Sequence, residues 1–289
     1  MFVGAFATAL FGQDALVSVA DRRARFRELH AGERLFVMPN PWDVGSARML
    51  ESLGFEALAT TSAGFAWSLG KLDQHVTRDE LVAHVGELTA ATSLPFNVDS
   101  ERCYPDDPGG VAETVRLLAE AGAAGCSIED YDPATGRIDD AGLAAERVAE
   151  AAEAAHAAGI VLTGRCENHL HGVDDLDDTI GRLVAYRDAR ADCLYAPGLV
   201  DLAQIRAVVD AVAAPVNVLA RPDGPAISEL ESVGVRRVST GSSLALAAYL
   251  ALLGGAEELL HRGTSSYVAG ASSEALKGAL APARRSEPS

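Results

Sequence analysis

Three carboxylates stand at the ends of two apolar runs of the sequence. Asp99 and Glu101 follow the run PFNV, and Glu129 closes the next run, GCSI. If these runs are adjacent parallel strands, the carboxylates meet at one edge and raise one another's pKa unless a divalent cation balances them. Oxygen ligands without a histidine or cysteine set favour Mg²⁺ or Mn²⁺ over Zn²⁺. The pattern therefore predicts a Mg²⁺ (or Mn²⁺) site, although these acids could instead cap helices or pair with Arg102 and Arg137.

Arg165 follows the apolar run VLTG, so its guanidinium is expected at the same edge. A guanidinium can hold a carboxylate through two parallel hydrogen bonds, which suits an anionic substrate. A salt bridge from Arg165 to Glu129 or Glu167 is an equal alternative, and both arrangements can coexist. Thr61 and Ser62 begin the segment TSAGFAW, where hydroxyls and backbone N–H groups can bind a carboxylate or oxyanion, or can cap a helix.

Further polar residues lie where other apolar runs end. Asn168 follows the run that precedes Arg165, and Asn217 lies in PVNVLA, so both are candidate substrate contacts. Cys103 is expected in a loop at the same edge, where the neighbouring Arg102 could lower the pKa of its thiol. We interpret Arg102 and Cys103 as residues that shape or gate a pocket, with a catalytic thiol as the alternative. The two histidines of ENHLHG do not have the spacing of the zinc motif HExxH.

Eight short apolar runs alternate with segments of helical apolar spacing, as expected for parallel βαβ units. The runs cover residues 35–39, 56–61, 95–99, 125–129, 159–164, 192–197, 215–220 and 235–240. Eight repeats predict an α/β fold of the (β/α)₈ TIM barrel type, in which functional groups lie on the loops after the strands. A doubly wound open sheet could use the same alternation, but it normally has fewer strands, and no GxGxxG motif follows the first run.

The composition limits the classes of partner. The 289 residues fit one barrel, and we predict an N-terminal extension over 1–24, the barrel over 25–265 and a polar tail over 266–289. A net charge of −17 argues against nucleic acid and anionic membranes as partners, whereas an arginine or a metal ion could still attract a small anionic substrate. Four cysteines without a CxxC pair, and an apolar N-terminus without a basic region, favour a cytoplasmic protein.

Several motifs, in order, resemble the isocitrate lyase and phosphoenolpyruvate mutase superfamily. They are PNPWDVGSARMLESLGFEALATTSAGFAWSLG, PFNVDSE, AGAAGCSIED, GRCENHLHG and LYAPGL. The resemblance implies a barrel whose Mg²⁺ orients a 2-oxo or 2-hydroxy acid and stabilises an enolate while a C–C or P–C bond forms or breaks. It places Asp99, Glu101 and Glu129 around the metal and Arg165 on the substrate.

The resemblance also implies roles for residues nearer the N-terminus and for the quaternary structure. Thr61 and Ser62 match small residues that bind the substrate carboxylate, and Asp43 matches an acid near the metal shell. Superfamily members usually exchange their last barrel helix between subunits. We therefore expect a swapped helix within residues 244–260, in a homodimer or homotetramer.

The sequence departs from the superfamily at its gating loop. Lyases carry a Lys-Lys-Cys-Gly-His motif there and mutases a Lys and an Asn, but this chain reads EDYDPATGRIDD, and Pro197 replaces a mutase histidine. Our first interpretation is a Mg²⁺-dependent lyase or hydrolase, of the oxaloacetate hydrolase, decarboxylase or acylpyruvate-lyase kind. It would cleave a C–C bond in a small 2-oxo or 2-hydroxy dicarboxylate, with Arg165 and Glu129 as catalytic residues. The alternatives are a P–C bond enzyme like the phosphonomutases (carboxyvinyl-carboxyphosphonate phosphorylmutase among them) and a non-catalytic, ligand-binding barrel.

Overall fold

The computed structural model describes residues 17–281, in which strands and helices alternate. All eight predicted runs form strands, because their apolar side chains suit a parallel sheet covered by helices. The barrel strands are β1 (Phe36–Met38), β2 (Leu58–Ala59), β3 (Phe96–Asp99), β4 (Gly125–Glu129), β5 (Val161–Arg165), β6 (Cys193–Tyr195), β7 (Val216–Leu219) and β8 (Arg237–Ser239). Seven of them lie inside the predicted runs, and β5 extends one residue beyond its run to include Arg165.

The eight strands form one parallel sheet with the neighbour order β1, β8, β7, β6, β5, β4, β3, β2. Strands β1 and β2 share no ladder, but the N–H of Ala59 donates to the carbonyl of Pro39 at 3.1 Å across the remaining gap. The sheet is therefore a nearly closed barrel, and the predicted (β/α)₈ fold is confirmed. An open doubly wound sheet would instead end in two separated edge strands.

The segments between the strands form helices, as their apolar spacing predicts. The helices are α1 (Val19–Ala31), α2 (Val44–Ser52), α3 (Ser62–Ser68), α4 (Arg78–Ala91), α5 (Gly110–Glu120), α6 (Ala141–Ala158), α7 (Leu176–Asp188), α8 (Leu202–Val212), α9 (Ile227–Ser232), α10 (Ser243–Arg262) and α11 (Glu274–Leu280). Single 3₁₀ turns cover Asn168–His171 and Ser266–Val268. A two-stranded antiparallel hairpin, Tyr131–Asp132 with Arg137–Ile138, follows β4 and is called the 131–138 hairpin below.

Helix α1 closes the amino-terminal end of the barrel. The ring of Phe26 packs edge-on against the ring of Phe36 in β1. A methyl group on Gly125 would lie 2.7 Å from the Phe26 ring and 2.8 Å from a backbone oxygen of β5, so glycine is required at this start of β4. Arg23 fastens the helix through hydrogen bonds to three backbone carbonyls of the barrel surface. Aromatic packing and these hydrogen bonds therefore hold α1 against this end of the barrel.

The barrel interior above α1 is polar. Asn97, Ser127, Thr163, Asn217 and Arg237 are each at most 5% exposed. TIM barrel interiors are usually filled by branched apolar side chains. The apolar core of this protein lies instead between the strands and the surrounding helices. A polar interior suggests that the centre of the barrel contributes to ligand binding as well as to stability.

Helix α10 presents an apolar face that the described residues do not cover. Leu246, Leu250, Leu252, Leu253 and Leu260 are between 45% and 78% exposed. By length and composition alone this helix could cross a membrane. A single helix that passes this test is only weak evidence for a membrane span. Exposed apolar faces of this size usually mark an interaction surface.

The predicted domain boundaries at residues 24 and 265 remain predictions. Residues 1–16 and 282–289 lie outside the described residues. Helix α1 begins at Val19, inside the predicted extension. Helix α11 lies inside the predicted tail and contacts α2.

Candidate active site

A cavity of about 170 Å³ lies at the carboxyl ends of the barrel strands. The predicted site residues that line it are Thr61, Ser62, Asp99, Arg165 and Asn217. Pockets for drug-sized ligands measure roughly 300 to 1,000 Å³. This cavity is smaller, so it suits a metabolite of a few carbon atoms.

Arg165 ends β5 and lies among three carboxylates. Its Nη1 is 3.1 Å from Asp99 Oδ1 and 3.3 Å from Glu129 Oε2, and its Nε donates to Glu167. Glu129 faces Arg165 because the two residues are paired in register between β4 and β5. Burial alone would lower the pKa of Arg165, but the three carboxylates raise it well above its ordinary value. The salt bridges to Glu129 and Glu167 that the sequence left open are therefore both present.

Glu129 is buried beside this guanidinium, with 6% of its surface exposed. Burial raises the pKa of its carboxyl well above the ordinary value, and neighbouring carboxylates add to the effect although Arg165 opposes it. The side-chain amide of Gln74 donates to Glu129 Oε1 at 3.0 Å. The raised pKa favours the protonated form of this carboxyl, which is the form that a general acid requires.

Glu101 lies next to this group in a strained loop. The φ angles of Glu101, Cys103 and Tyr104 are 50°, 58° and 47°, a left-handed conformation that costs energy in residues with a Cβ atom. Burial and the negative charges of Asp99 and Asp73 raise the pKa of Glu101 to about 8. Its Oε1 is buried without a hydrogen-bond partner. An orphaned carboxyl oxygen beside other carboxylates is a suitable place for a cation.

Negative charge exceeds positive charge at this end of the barrel. Five carboxylates lie around the guanidinium of Arg165, namely those of Asp73, Asp99, Glu101, Glu129 and Glu167. In the described part of the chain, no three acidic, histidine or cysteine side chains converge as a formed metal cluster. Arg165 contacts both Asp99 and Glu129, so it lies between two of the predicted ligands. Mg²⁺ keeps several waters and often binds one or two carboxylates, so this all-oxygen set fits it.

Two residues that the sequence analysis missed also belong to the site. Asp73 lines the cavity. Burial and the charge of Asp99 raise the pKa of Asp73, while a hydrogen bond with Ser62 opposes the rise. Gln74, with φ 63°, binds Glu129 as described above. Both follow α3 rather than a strand, so a search at strand ends misses them; the signal in the sequence is the polar turn KLDQH after an apolar helix.

Thr61 and Ser62 line the cavity and also organise α3. Thr61 Oγ1 accepts a hydrogen bond from the N–H of Gly64 at 3.3 Å, as the N-cap of the helix. The N–H of Ser62 donates to Asp99 Oδ2 at 3.1 Å. Helix capping and cavity lining, which the sequence offered as alternatives, therefore coexist, and the first turn of α3 fixes the position of Asp99.

The two asparagines have different surroundings. Asn217 lies in the cavity wall and donates to Ser239 Oγ at 2.9 Å. The structure does not bring Asn168 to the cavity, because its Nδ2 binds Asp178 at 2.8 Å and Thr179 at 3.1 Å. Asn168 begins the 3₁₀ turn after β5, and these two hydrogen bonds hold its side chain against the first turn of α7.

Asp43 also lies outside the cavity lining. Its carboxylate accepts the N–H of Ser46, three residues later, and caps the first turn of α2. A capping aspartate at a helix N-terminus satisfies free N–H groups and contributes about 1 kcal/mol to stability. The position that the resemblance assigned to the metal shell is thus occupied by a helix cap in this structure.

Arg102 and Cys103 support the loop and do not line the cavity. Arg102 donates to Asp132 at 2.8 Å and to Asp139 at 3.1 Å, which holds the 131–138 hairpin against the loop after β3. Cys103 is fully buried, and burial raises the pKa of its thiol to about 12. A buried, protonated thiol is a poor nucleophile. The arrangement therefore favours a structural role for both residues.

Known proteins resemble this chain in sequence and structure. The model of the phosphoenolpyruvate phosphomutase family matches residues 26–260. An oxaloacetate decarboxylase of Paraburkholderia xenovorans is 29% identical over 245 residues, 80% of this chain and 79% of that protein. A candidate lyase/mutase of Burkholderia cenocepacia has a solved structure with 49% identity and a TM-score of 0.85, covering 89% of this chain and 95% of that one.

A second solved structure, of a candidate phosphonomutase from Burkholderia cenocepacia, is 36% identical with a TM-score of 0.78. The matched region spans 86% of this chain and 100% of that one. The family match includes all eight barrel strands and every acidic residue around Arg165. On this evidence of sequence, fold and site, the chain belongs to the phosphoenolpyruvate phosphomutase family, in the superfamily of lyases and mutases that includes isocitrate lyase.

Proposed function

We propose that this protein is a Mg²⁺-dependent lyase or hydrolase that cleaves a C–C bond in a small 2-oxo or 2-hydroxy dicarboxylate. The observation that carries the proposal is the small cavity in which Asp99 and Arg165 lie beside Glu129, a buried carboxyl with a raised pKa. The similarity to an oxaloacetate decarboxylase supports the substrate class.

We assign each residue a role from its position in or beside the cavity. Asp99 and Asp73 would hold Mg²⁺ from the cavity wall, with Glu101 and Glu129 reaching it through water. The ion would supply Lewis acid chemistry toward the 2-oxo or 2-hydroxy oxygen. Arg165 would orient a substrate carboxylate and stabilise negative charge that develops during cleavage. The hydroxyls of Thr61 and Ser62 lie in the same cavity wall and can donate to that carboxylate.

Glu129 is the proposed proton carrier. Residues 131–138 contain no cysteine, lysine or histidine, so the Lys-Lys-Cys-Gly-His motif of the lyases has no counterpart there. Cys103 is buried with a raised pKa and does not line the cavity. Glu129 does not line the cavity either, but it contacts Arg165, which does, so a proton held on Glu129 would reach the carbon that cleavage leaves with excess charge through a water molecule.

Turnover tests the reaction, and a metal-binding variant tests the site. The purified protein is assayed with Mg²⁺ on oxaloacetate, on further 2-oxo and 2-hydroxy dicarboxylates and on 2-oxo phosphonates. Asp99→Ala should lose the thermal stabilisation that Mg²⁺ gives the wild type. Asp43→Ala is the matched control, because it removes an acid that caps α2 outside the cavity and should keep the Mg²⁺ effect. Full Mg²⁺ affinity in Asp99→Ala would show that Asp99 is not a Mg²⁺ ligand.

A phosphonomutase-like enzyme is the second candidate, favoured by the 36% identity to a candidate phosphonomutase. Conversion of a 2-oxo phosphonate without turnover of dicarboxylates would establish it. Saturable binding of oxalate without any turnover would instead indicate a non-catalytic barrel.

We also propose that the protein is a cytoplasmic homo-oligomer whose subunits bury the apolar face of α10. The exposed leucines of this helix support the proposal. Full burial of one exposed leucine side chain is worth roughly 1.5 to 3 kcal/mol, and these leucines are 45% to 78% exposed, so covering them favours association. Dimer and tetramer both satisfy this argument.

A further inference from the structure

Arg237 is a buried cation at the bottom of the cavity. It begins β8, is 1% exposed and lines the cavity below Arg165 and Asp99. Its Nε donates to Asn217 Oδ1 and its Nη2 to Thr163 Oγ1, both at 2.9 Å. We call the part of the cavity formed by Arg237, Asn217 and Ser239 the cavity floor.

The third partner of Arg237 is a neutral histidine. Nδ1 of His30 lies 2.8 Å from the carbonyl oxygen of Phe26, so this nitrogen carries the proton and donates. Nε2 is then an unprotonated acceptor, and it lies 3.0 Å from Arg237 Nη1. Burial, and next the charge of Arg237, lower the pKa of His30 to about 3, which agrees with a neutral ring.

The charge of Arg237 therefore has no counter-ion among residues 17–281. All three of its hydrogen-bond partners are neutral, and no carboxylate contributes to its pKa, which burial lowers. Arg165, by contrast, contacts three carboxylates. Burial of an unpaired charge is strongly unfavourable unless a group of opposite charge binds it. A guanidinium has five N–H donors, and three hydrogen bonds leave two of them free.

We infer that the cavity floor is an anion subsite in which Arg237 binds one carboxylate of a dicarboxylate ligand. Asn97 lines the same cavity, but its unpartnered Oδ1 is an acceptor, so the N–H donors for an anion come from Arg237. The other carboxylate of the ligand would lie toward Arg165, which lines the same cavity. That this ligand is the substrate rests on the proposed function, whereas the anion subsite stands without it.

Succinate is the probe, because it carries two carboxylates and no reactive carbonyl. Its dissociation constant is measured by calorimetry on the metal-free, full-length protein. Arg237→Gln removes the charge but keeps an amide that can donate to Asn217. We expect its dissociation constant for succinate to rise at least about tenfold, as for loss of a charged hydrogen bond. Arg22→Met is the control, since Arg22 is also buried but binds backbone carbonyls away from the cavity.

Unchanged succinate binding in Arg237→Gln, or no binding by the wild type, would overturn the inference. A crystal structure of the wild type with succinate decides the matter should the variant not fold: a carboxylate within hydrogen-bond distance of Arg237 supports the subsite, and its absence there refutes it. The outcome is separable from the proposed function. Succinate binding that depends on Arg237, in a protein that turns over none of the substrates, would support the anion subsite and contradict the proposed reaction. Turnover that Arg237→Gln leaves unchanged would support the reaction and contradict the subsite.

Discussion

The neutral state of His30 predicts a specific loss of stability in acid. The ordinary pKa of histidine is 6.5, and in the folded protein that of His30 is lowered to about 3 by burial and by Arg237. Between these two pKa values the unfolded chain binds a proton at His30 and the folded protein does not. The free energy of unfolding therefore falls as the pH drops from about 6.5 toward 3. Integrating this difference from pH 8 to pH 5 gives a loss of about 2 kcal/mol from this single group.

Urea unfolding at pH 8 and pH 5, at fixed protein concentration, measures the effect. His30→Gln keeps an acceptor for Arg237 but does not titrate, so its loss of unfolding free energy between the two values should be about 2 kcal/mol smaller than that of the wild type. His84, stacked on Phe65, has a pKa that burial lowers to about 4, so His84→Gln should give a similar, additive change. The exposed His261 provides the control His261→Gln, which should leave the loss as it is.

Equal losses in His30→Gln and the wild type would refute this reasoning. A direct measurement is the NMR titration of the imidazole of His30, which should stay neutral down to pH 4. The groups around the ring are Arg237 inside the barrel and Arg27, His156 and Asp192 on the outer side. Titration near 6.5 would show that solvent or Asp192 stabilises the charged ring, and the assignment of Nε2 as an acceptor for Arg237 would then be wrong.

Three further predictions concern the site and the assembly. Cys103→Ser should keep most of the activity, because the thiol is buried and protonated; for the same reason the wild-type thiol should resist labelling by a thiol reagent. An inactive variant that folds and binds Mg²⁺ would indicate that the thiol is a nucleophile. Arg165→Ala should lower kcat/KM about a hundredfold or more in steady-state kinetics, as for removal of an electrostatic stabiliser, and wild-type kinetics would exclude that role. The double substitution Leu250→Glu and Leu253→Glu should shift sedimentation toward a monomer, whereas a wild-type protein that is monomeric at micromolar concentration would contradict the oligomer.

The sequence alone predicts the fold and those site residues that lie at the strand ends. Eight apolar runs separated by helical spacing allow few arrangements other than a barrel, because buried parallel strands and amphipathic helices each leave their own periodicity. Residues directly after a strand, such as Asp99 and Arg165, are also predictable, since all strand ends of a parallel barrel meet at one edge. Local pattern is sufficient for these statements.

The tertiary structure decides which side chains meet. His30 and Arg237 are 207 positions apart and are joined by a hydrogen bond, and no periodicity reports such a contact. Cys103 follows Arg102 in sequence, but the guanidinium of Arg102 binds Asp132 and Asp139 in the 131–138 hairpin and its neighbour, so adjacency does not activate the thiol. Charge balance and burial depend on strand register and on loops that cross the barrel mouth, and these are set by packing between distant segments.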